Sequence, residues 1–382
     1  MREILFVAGE VSGDLHAAGV AAQLAARGAP YRLTGIGGDE MRAAGVELIE
    51  HVERLAVMGF VEVLEHVPRH WALLRALKRR IVSGRVALVV LIDYPTFNMK
   101  VAESATAAGV PVLYYITPQV WAWGSDRLAR LARTVTKAAV ILPFEEELLR
   151  QHGIDATFVG HPLLDRLERL PDRAEARAAL GLDASARVLA LFPGSREQEI
   201  ERHLDAFVGA ARELQRRDPR LRVIVSVAPH VSLDPTRCPF PMVRSASFTV
   251  LRAADAALCK SGTTTLEAAV AGCPLVVAYR TSRLTYAAAR RLVKIPNIGL
   301  VNVVAGHRVA PEFVQDAFEP AAVADALVPL LDDTSAERRA MLAELSQVRT
   351  ALGAPGAAAR VAAIAADLAA IGDSSARRAH AG

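Results

Sequence analysis

The sequence predicts an α/β protein of two domains, each built on a mainly parallel β-sheet. Short apolar segments of strand length alternate with segments of helical spacing along most of the chain, which is typical of βα units. The length of 382 residues favours more than one domain, and a hydrophobic content of 52% provides enough apolar side chains for two cores.

The predicted strands fall into two series separated by helical segments such as Leu15–Arg27, Trp71–Ile81 and Leu204–Arg217. The first series is predicted at Glu3–Ala8, Tyr31–Gly35, Ala87–Ile92, Val112–Tyr115, Ala138–Leu142 and Thr157–Val159. The second series is predicted at Val188–Phe192, Arg222–Val227, Ala256–Cys259 and Leu275–Tyr279.

The boundary between the two series is expected near Pro162–Asp172, where a polar segment follows a strand-like run. We predict an N-terminal Rossmann-like domain at residues 1–165, a C-terminal Rossmann-like domain at 166–350, and a C-terminal helix and tail at 351–382. Because ligands bind at the carboxyl ends of parallel strands, the two domains are expected to face a central cleft. The sequence leaves open whether the last helix packs on the first domain or exchanges between subunits.

Composition and charge exclude several classes of protein. A net charge of +4 is too small an excess to indicate a nucleic-acid-binding protein. Three widely spaced cysteines give neither a metal motif nor a disulfide framework, which suits the cytoplasm. The N-terminus does not resemble a signal peptide, and no apolar run approaches the roughly 18–20 residues that span a bilayer. We therefore expect a cytoplasmic protein that is soluble or peripheral to a membrane.

The loop after the first strand contains an acidic side chain, Glu10, at the end of a buried segment. A carboxylate is unfavourable in an apolar core and can act in a ligand site, so Glu10 is a candidate site residue. Glu10 and Asp14 could equally cap a helix or face solvent. Gly9 and Gly13 do not form the G-x-G-x-x-G fingerprint, which disfavours a nicotinamide-dependent oxidoreductase.

The segment Leu55–Ile81 combines apolar and basic side chains in a helical pattern. Such a helix can lie at a membrane surface, but most helices of this kind simply cover a sheet. The candidate membrane or acyl-chain contacts are Met58, Phe60, Leu64, Trp71 and Leu74.

An aspartate, Asp93, follows a seven-residue apolar strand and precedes Pro95. A carboxylate at the carboxyl end of a strand opens toward a ligand site, so Asp93 is a candidate general base. The alternative is that Asp93 only caps the next helix.

Two loops of the second series are candidate anion sites. Pro193–Arg196 places Gly194, Ser195 and Arg196 between a strand and a helix, and Arg196 can donate to a phosphate beside the helix N-terminus. The turn Ser261–Thr265 also lies between a strand and a helix, and Gly262 lets an anion approach its backbone closely. Both segments also have the spacing of a capping box, Ser195 with Gln198 and Thr264 with Glu267. The chain contains no D-x-D pair, so we expect arginine and helix dipoles, not a metal, to hold the diphosphate.

Taken together, these segments resemble the lipid-A-disaccharide synthases, bacterial glycosyltransferases of the two-domain GT-B class. The resemblance covers nearly the whole chain and includes FVAGEVSGD, IDYPTFN, YYITPQVWAW, ILPFEEE, FVGHPLLD, FPGSREQEI and KSGTTTLEAAVAGCPLVVAYR. The chain departs from the family pattern at Val301-Asn302, where Leu-Pro-Asn is expected, although Asn302 itself is present.

The resemblance implies transfer of a sugar from UDP-2,3-diacylglucosamine to 2,3-diacylglucosamine 1-phosphate, with inversion, to give a β-1,6-linked disaccharide 1-phosphate and UDP. It implies no cofactor and no metal, and it places the protein on the cytoplasmic face of the inner membrane of a Gram-negative bacterium. Catalysis is expected from Asp93 as base, with Glu10 in support. Donor binding is expected from Gly194, Ser195, Arg196, Ser261, Gly262, Thr263, Thr264, Thr265, Glu267 and Asn302.

Two other functions remain open from the residues alone. A UDP-sugar epimerase of similar fold would use the same nucleotide loops without an acceptor lipid. A lipid or nucleotide carrier would use them without turnover. The sequence leaves the oligomeric state undetermined, with a homodimer among the alternatives.

Overall fold

The structure of the chain is a computed structural model. It describes residues 1–54, 60–123, 125–229, 231, 233–234, 236–283, 285–287 and 296–381, and at 60–68, 122–123, 125–126, 168–169 and 375–381 it describes the backbone alone. The chain divides into two compact units, Met1–Pro162 with Ala354–Gly382 and Leu163–Gly353.

The first unit contains a seven-stranded parallel sheet in the order β3-β2-β1-β4-β5-β6-β7. Its central strands β1 and β4 are buried along their whole length because helices cover both faces. The strands are β1 Glu3–Ala8, β2 Arg32–Gly37, β3 Glu47–His51, β4 Val86–Ile92, β5 Val112–Tyr115, β6 Lys137–Val140 and β7 Ala156–Phe158.

The helices of the first unit connect successive strands. They are α1 Val11–Ala26, α2 Asp39–Ala43, α3 Phe60–Val82, α4 Pro95–Ala107, α5 Val120–Trp123, α6 Ser125–Thr134 and α7 Pro143–Gln151. One core forms where α3, α4 and α6 cover one face of the sheet. A second core forms on the other face between the sheet, α1 and the C-terminal helix of the chain.

The second unit contains a six-stranded parallel sheet in the order β10-β9-β8-β11-β12-β13. Its strands are β8 Val188–Phe192, β9 Arg222–Val227, β10 Met242–Arg244, β11 Ala256–Lys260, β12 Leu275–Tyr279 and β13 Glu312–Val314. Its helices are α8 Arg173–Ala179, α9 Glu197–Arg217, α10 Ser247–Ala253, α11 Thr264–Ala271, α12 Leu300–Ala305, α13 Pro320–Leu327 and α14 Ala336–Ala351.

The last helix, α15 Ala357–Ala381, packs against α1 and β4 in the first unit. Arg2 near the start of the chain donates to Asp373 at 2.7 Å, and Arg360 donates to the carbonyl oxygen of Val159 at 2.8 Å. A Cβ at Gly372 would lie 2.1 Å from the carbonyl oxygen of Ala87, so only glycine lets the helix approach β4 this closely.

The prediction of two parallel-sheet α/β domains is confirmed. Every strand predicted from the sequence has a counterpart within a few residues, whereas β3, β10 and β13 were not predicted. All three missed strands lie at the edge of a sheet, where a strand is partly exposed and needs no continuous apolar run. Within the described residues, no helix is both long and apolar enough to cross a bilayer.

Candidate functional site

The loops that carry Glu10 and Asp93 are neighbours at the carboxyl edge of the first sheet. Glu10 follows β1 and Asp93 follows β4, and these two strands pair side by side. The strand order reverses between them, which is the place where open parallel sheets bind ligands. The structure therefore brings the two predicted acids to the same part of one sheet.

The backbone at Asp93 is held in an unusual conformation. Asp93 and Tyr94 both have left-handed φ angles, 48° and 51°, and α4 begins directly afterwards at Pro95. The carbonyl oxygen of Asp93 accepts hydrogen bonds from Asn98 Nδ2 at 2.7 Å and from the Tyr114 hydroxyl at 2.8 Å. Left-handed residues other than glycine persist where surrounding contacts fix them, and they are enriched at functional sites.

The Tyr94 side chain connects three elements around this loop. Its ring lies against Gly9, where a Cβ would be only 2.0 Å from Tyr94 Cγ, so glycine is required at that position. Its hydroxyl oxygen lies 2.8 Å from Nε2 of His70 on α3. Burial raises the pKa of Tyr94, and the charge of Glu10 raises it further. The charge of Glu10 thus acts on a side chain of the Asp93 loop.

Asp14 has a structural role. Its buried carboxylate accepts hydrogen bonds from the backbone N–H groups of Gly38 at 2.6 Å and of Glu40 and Met41 at 3.1 Å, so it caps the start of α2. Glu10 is exposed and precedes the first residue of α1. The two acids of this loop therefore differ, because Asp14 is buried and hydrogen-bonded to backbone whereas Glu10 is exposed.

The two predicted phosphate loops follow β8 and β11, which are neighbouring strands at the reversal point of the second sheet. Gly194 has φ 150°, and a Cβ there would lie 2.6 Å from Cβ of Glu199. Arg196 is the N-cap residue of α9 and its side chain is 68% exposed, so the guanidinium reaches solvent beside the helix N-terminus. The predicted capping box of Ser195 and Gln198 is wrong, because α9 begins one residue later than that box requires.

The turn after β11 is held by its own side chains. Ser261 Oγ donates to the carbonyl oxygen of Ile298 at 2.7 Å, and Thr265 Oγ1 donates to that of Gly262 at 2.9 Å. The predicted capping box of Thr264 and Glu267 is also wrong, because Thr263 is the N-cap residue of α11. Ser261 and Thr265 thus shape the turn, and Thr263 is the most exposed side chain within it.

Glu267 lies one turn into α11. Burial raises its pKa, while the charge of Arg166 and a hydrogen bond with Ser247 act in the opposite direction. Arg166 itself lies over the ring of Phe248, with 4.9 Å between the guanidinium carbon and the ring centroid. The carboxyl group is therefore oriented by neighbours from outside its own helix.

Asn302 is fully buried and fully hydrogen-bonded. Its Nδ2 donates to the carbonyl oxygen of Ala310 and to Glu312 Oε1, and its Oδ1 accepts from the N–H groups of Val309 and Ala310, all at 2.8 Å. These contacts use every hydrogen-bonding position of the amide. In this geometry Asn302 fixes the chain between α12 and β13 and has no position left for a ligand.

The membrane candidates are only partly described. Met58 lies outside the described residues, and for Phe60 and Leu64 only the backbone in α3 is described. Trp71 is 52% exposed, whereas Leu74 is partly buried and packs against the core of the first unit. Lys100 Nζ lies 5.0 Å from the centroid of the Trp71 ring. Trp71, Leu74 and Tyr94 also line a cavity of about 160 Å³ that adjoins the Asp93 loop.

Some residues of the site were missed in the sequence. Asn98 lies in α4, five residues after Asp93, and Tyr114 lies on the neighbouring strand β5, and neither was predicted as a partner of the Asp93 carbonyl oxygen. Glu199 and Lys260 flank the two predicted phosphate loops and were not among the predicted site residues. Within the described part of the chain, no group of three or more His, Cys, Asp or Glu side chains is placed to hold a metal ion.

Comparison with known proteins identifies relatives over almost the full chain. The family model described as lipid-A-disaccharide synthetase matches residues 4–363. A lipid-A-disaccharide synthase of Geobacter metallireducens is 41% identical over 95% of this chain and 96% of its own length. The enzyme of the same name from Anaeromyxobacter sp. (strain K) is 42% identical over 94% and 96%, respectively.

Solved structures share the fold at much lower identity. The calicheamicin glycosyltransferase CalG4 matches with a TM-score of 0.60 and 19% identity, covering 96% of this chain and 98% of its own. A putative UDP-N-acetylglucosamine 2-epimerase from Listeria monocytogenes matches with a TM-score of 0.65 and 12% identity, covering 94% and 95%. Glycosyltransferases and epimerases thus share this GT-B architecture, and fold alone does not separate them.

Proposed function

The chain belongs to the lipid-A-disaccharide synthase family, and on that premise we propose that it joins UDP-2,3-diacylglucosamine to 2,3-diacylglucosamine 1-phosphate. The products are the β-1,6-linked disaccharide 1-phosphate and UDP. The observation that supports this function most is 41% identity to a lipid-A-disaccharide synthase over 95% of the chain. The epimerase and carrier alternatives have no comparable support, because the epimerase likeness is 12% identical and concerns the fold alone.

Asp93 is the proposed general base. Inversion in a single displacement requires a base that takes the proton from the 6-hydroxyl of the acceptor as that oxygen attacks the anomeric carbon of the donor sugar. The bond between the anomeric carbon and the diphosphate oxygen then breaks, and UDP leaves with the electron pair. The hydrogen bonds from Asn98 and Tyr114 to the Asp93 carbonyl support this role, because they fix the residue that must face the hydroxyl.

Glu10 is proposed to support Asp93 or to position the acceptor. It follows β1, the strand adjacent to β4, and its charge acts on Tyr94, the residue after Asp93. Placement at the same sheet edge is the argument for a shared role.

The second unit is proposed to bind the UDP part of the donor. Arg196 and the backbone of Gly194, Ser195 and the Ser261–Thr264 turn would hold the diphosphate and stabilise the charge that develops on the leaving group. Glu267 is proposed to accept a hydrogen bond from a ribose hydroxyl. Thr265 and Asn302 are proposed to act indirectly, since their side chains are buried and hold neighbouring backbone.

We further propose that the first unit contacts a membrane surface, because both substrates carry acyl chains, and each buried CH₂ contributes roughly 0.8 kcal/mol to membrane binding. Three large apolar side chains that adjoin the carboxyl edge of the first sheet are exposed, namely Val11, Leu15 and Trp71. The contact would lie on the cytoplasmic face of the inner membrane. Sedimentation with lipid vesicles tests this proposal.

The division of labour between the two units can be tested with two variants. Asp93→Asn is expected to lower kcat by at least about 100-fold, because the general base is lost while the donor site is intact. Arg196→Ala is expected to raise the KM for the UDP-sugar by about tenfold, because one charge-assisted hydrogen bond to the diphosphate is lost. Steady-state kinetics with both substrates measure the two effects.

The controls are Asp39→Asn and Arg220→Ala, which alter exposed side chains of the first and second units. Both are expected to leave kcat and KM near the values of the parent enzyme. Equal effects of Asp93→Asn and Arg196→Ala on the KM for the donor would contradict the assignment of base and donor site to these residues.

A further inference from the structure

An ion pair joins the two phosphate loops of the second unit. Lys260 is the last residue of β11, and Glu199 lies in the first turn of α9, which follows β8. Lys260 Nζ lies 2.8 Å from Glu199 Oε1, and the two side chains are only 17% and 16% exposed. Because β8 and β11 are adjacent strands, the pair spans from one loop to the other at the carboxyl edge of the sheet.

Three donors converge on the Glu199 carboxylate. Its Oε2 accepts a hydrogen bond from the backbone N–H of Ser195 at 3.0 Å. Its Oε1 contacts Lys260 and lies 3.6 Å from Arg196 Nη1. A backbone amide at the start of a helix together with a lysine and an arginine is a donor set that suits a phosphate group.

The ammonium group of Lys260 is directed over the turn that follows β11. Lys260 Nζ lies 3.5 Å from the position that a Cβ on Gly262 would occupy and 6.0 Å from the centroid of the Tyr279 ring. An ammonium group has three N–H donors, and Glu199 Oε1 takes one of them. Lys260 can therefore contact a second anion without leaving Glu199.

The charges around this pair favour a further anion. Burial opposes ionisation of Glu199, but the hydrogen bond and charge of Lys260, with Ser195 and Arg196, lower the pKa of Glu199 on balance. His203, one helical turn later, has its pKa lowered mainly by burial and accepts a hydrogen bond at Nε2 from the N–H of Arg280, so it adds no positive charge near neutral pH. Two cations, Lys260 and Arg196, thus face one carboxylate.

We propose that Lys260 is a further diphosphate-binding residue, whose ammonium group contacts a phosphate oxygen of the UDP-sugar and of UDP, and that Glu199 positions it for this contact. The inference rests on the proposed function, since it requires the diphosphate to lie at the loops after β8 and β11. Arg196 offers a planar fork of donors, whereas Lys260 adds a compact charge from the other loop. The loop after β8 and the loop after β11 would then each contribute a cation to the diphosphate.

The competing explanation is that the pair is purely structural and only ties α9 to β11. The two explanations differ in which ligands they affect. A diphosphate contact changes the affinity for UDP and leaves the affinity for uridine alone, because uridine carries no phosphate. A structural tie that reaches beyond the diphosphate loops changes both affinities, and a tie confined to them is kept by Lys260→Gln, which still donates to Glu199 and would then bind UDP like the parent protein.

The test is isothermal titration calorimetry of the full-length protein with UDP and with uridine. Lys260→Met is expected to raise the Kd for UDP by about tenfold, which is the effect of losing one hydrogen bond between charged groups, and to leave the Kd for uridine within about twofold. Lys137→Met is the matched control, because it removes a lysine that pairs with Asp155 at 2.9 Å at the start of β6 in the first unit. This control is expected to leave both affinities unchanged.

Lys260→Gln is measured beside it, since glutamine keeps a hydrogen-bond donor for Glu199 and so protects the fold. It is expected to show the same selective loss of UDP affinity. Either folded variant binding UDP within about twofold of the parent protein, or losing UDP and uridine affinity equally, would overturn the proposal. A parent protein that binds neither ligand would instead contradict the proposed function on which it rests.

Discussion

Asp93 shows how the proposed catalytic base depends on residues that surround its backbone. The sequence predicts its position at the end of a strand, because an apolar run stops at an acid followed by proline. It does not predict the left-handed φ of 48° or the hydrogen bonds to the Asp93 carbonyl oxygen. The hydrogen bond from Tyr114 depends on a neighbouring strand, because the pairing of β4 and β5 brings Tyr114 beside Asp93.

We predict that Tyr114→Phe lowers kcat by about tenfold while the KM for the UDP-sugar stays within about twofold. The variant removes only the hydroxyl that donates to the Asp93 carbonyl oxygen at 2.8 Å, so the proposed base loses one of the contacts that orient it. The donor loops lie in the other unit and keep their contacts. Steady-state kinetics separate kcat from KM, and thermal melting measures the loss of stability.

Tyr31→Phe is the matched control for this experiment. It removes a hydroxyl that bonds to Asp373 at 3.0 Å just before the start of β2, at the opposite end of the strands in the same sheet. The control is expected to affect melting but not kcat. If both variants lowered kcat equally, Tyr114 would contribute only to general stability and not to the position of Asp93.

At the scale of elements, the amphipathic segment around α3 has two roles that the sequence could not separate. The structure places Leu73, Leu77 and Ile81 in the core, so this helix covers the sheet as the simpler interpretation expected. Trp71 on the same helix is 52% exposed. Covering a sheet and presenting an exposed tryptophan are therefore compatible, because they use different faces of one helix.

We predict that Trp71→Ser lowers the fraction of protein that sediments with vesicles containing anionic lipids, while UDP binding is unchanged. The indole ring is the largest of the exposed apolar side chains of the described residues, and tryptophan favours the interface between water and lipid. Val328→Ser is the control, since it removes an apolar side chain that is 44% exposed in the second unit. Unchanged sedimentation of the folded Trp71→Ser variant would remove Trp71 from the membrane contact.

Across the whole molecule, the two sheets and their order along the chain could be predicted because parallel strands buried on both faces leave apolar runs in the sequence. The loops of the proposed site could be predicted because ligands of such sheets bind where parallel strands end. The packing of α15 on the first unit could not be predicted. It depends on contacts such as Arg2 with Asp373, between opposite ends of the chain, and on the missing side chain of Gly372 against Ala87.

The proposed donor site and the proposed base lie in separate units of the chain, so only a reaction that requires both substrates tests the whole assignment. A carrier would bind without releasing product, and an epimerase would convert the UDP-sugar without an acceptor. Acceptor dependence is the property that separates these activities from a transferase.

The most direct measurement is therefore UDP release in detergent micelles from UDP-2,3-diacylglucosamine, with and without 2,3-diacylglucosamine 1-phosphate, with lipids followed by mass spectrometry. We predict UDP release only when the acceptor is present, together with a disaccharide 1-phosphate whose mass is that of the two sugars joined. Conversion of the UDP-sugar without acceptor, or no product from a folded protein that binds UDP, would contradict the proposed transferase.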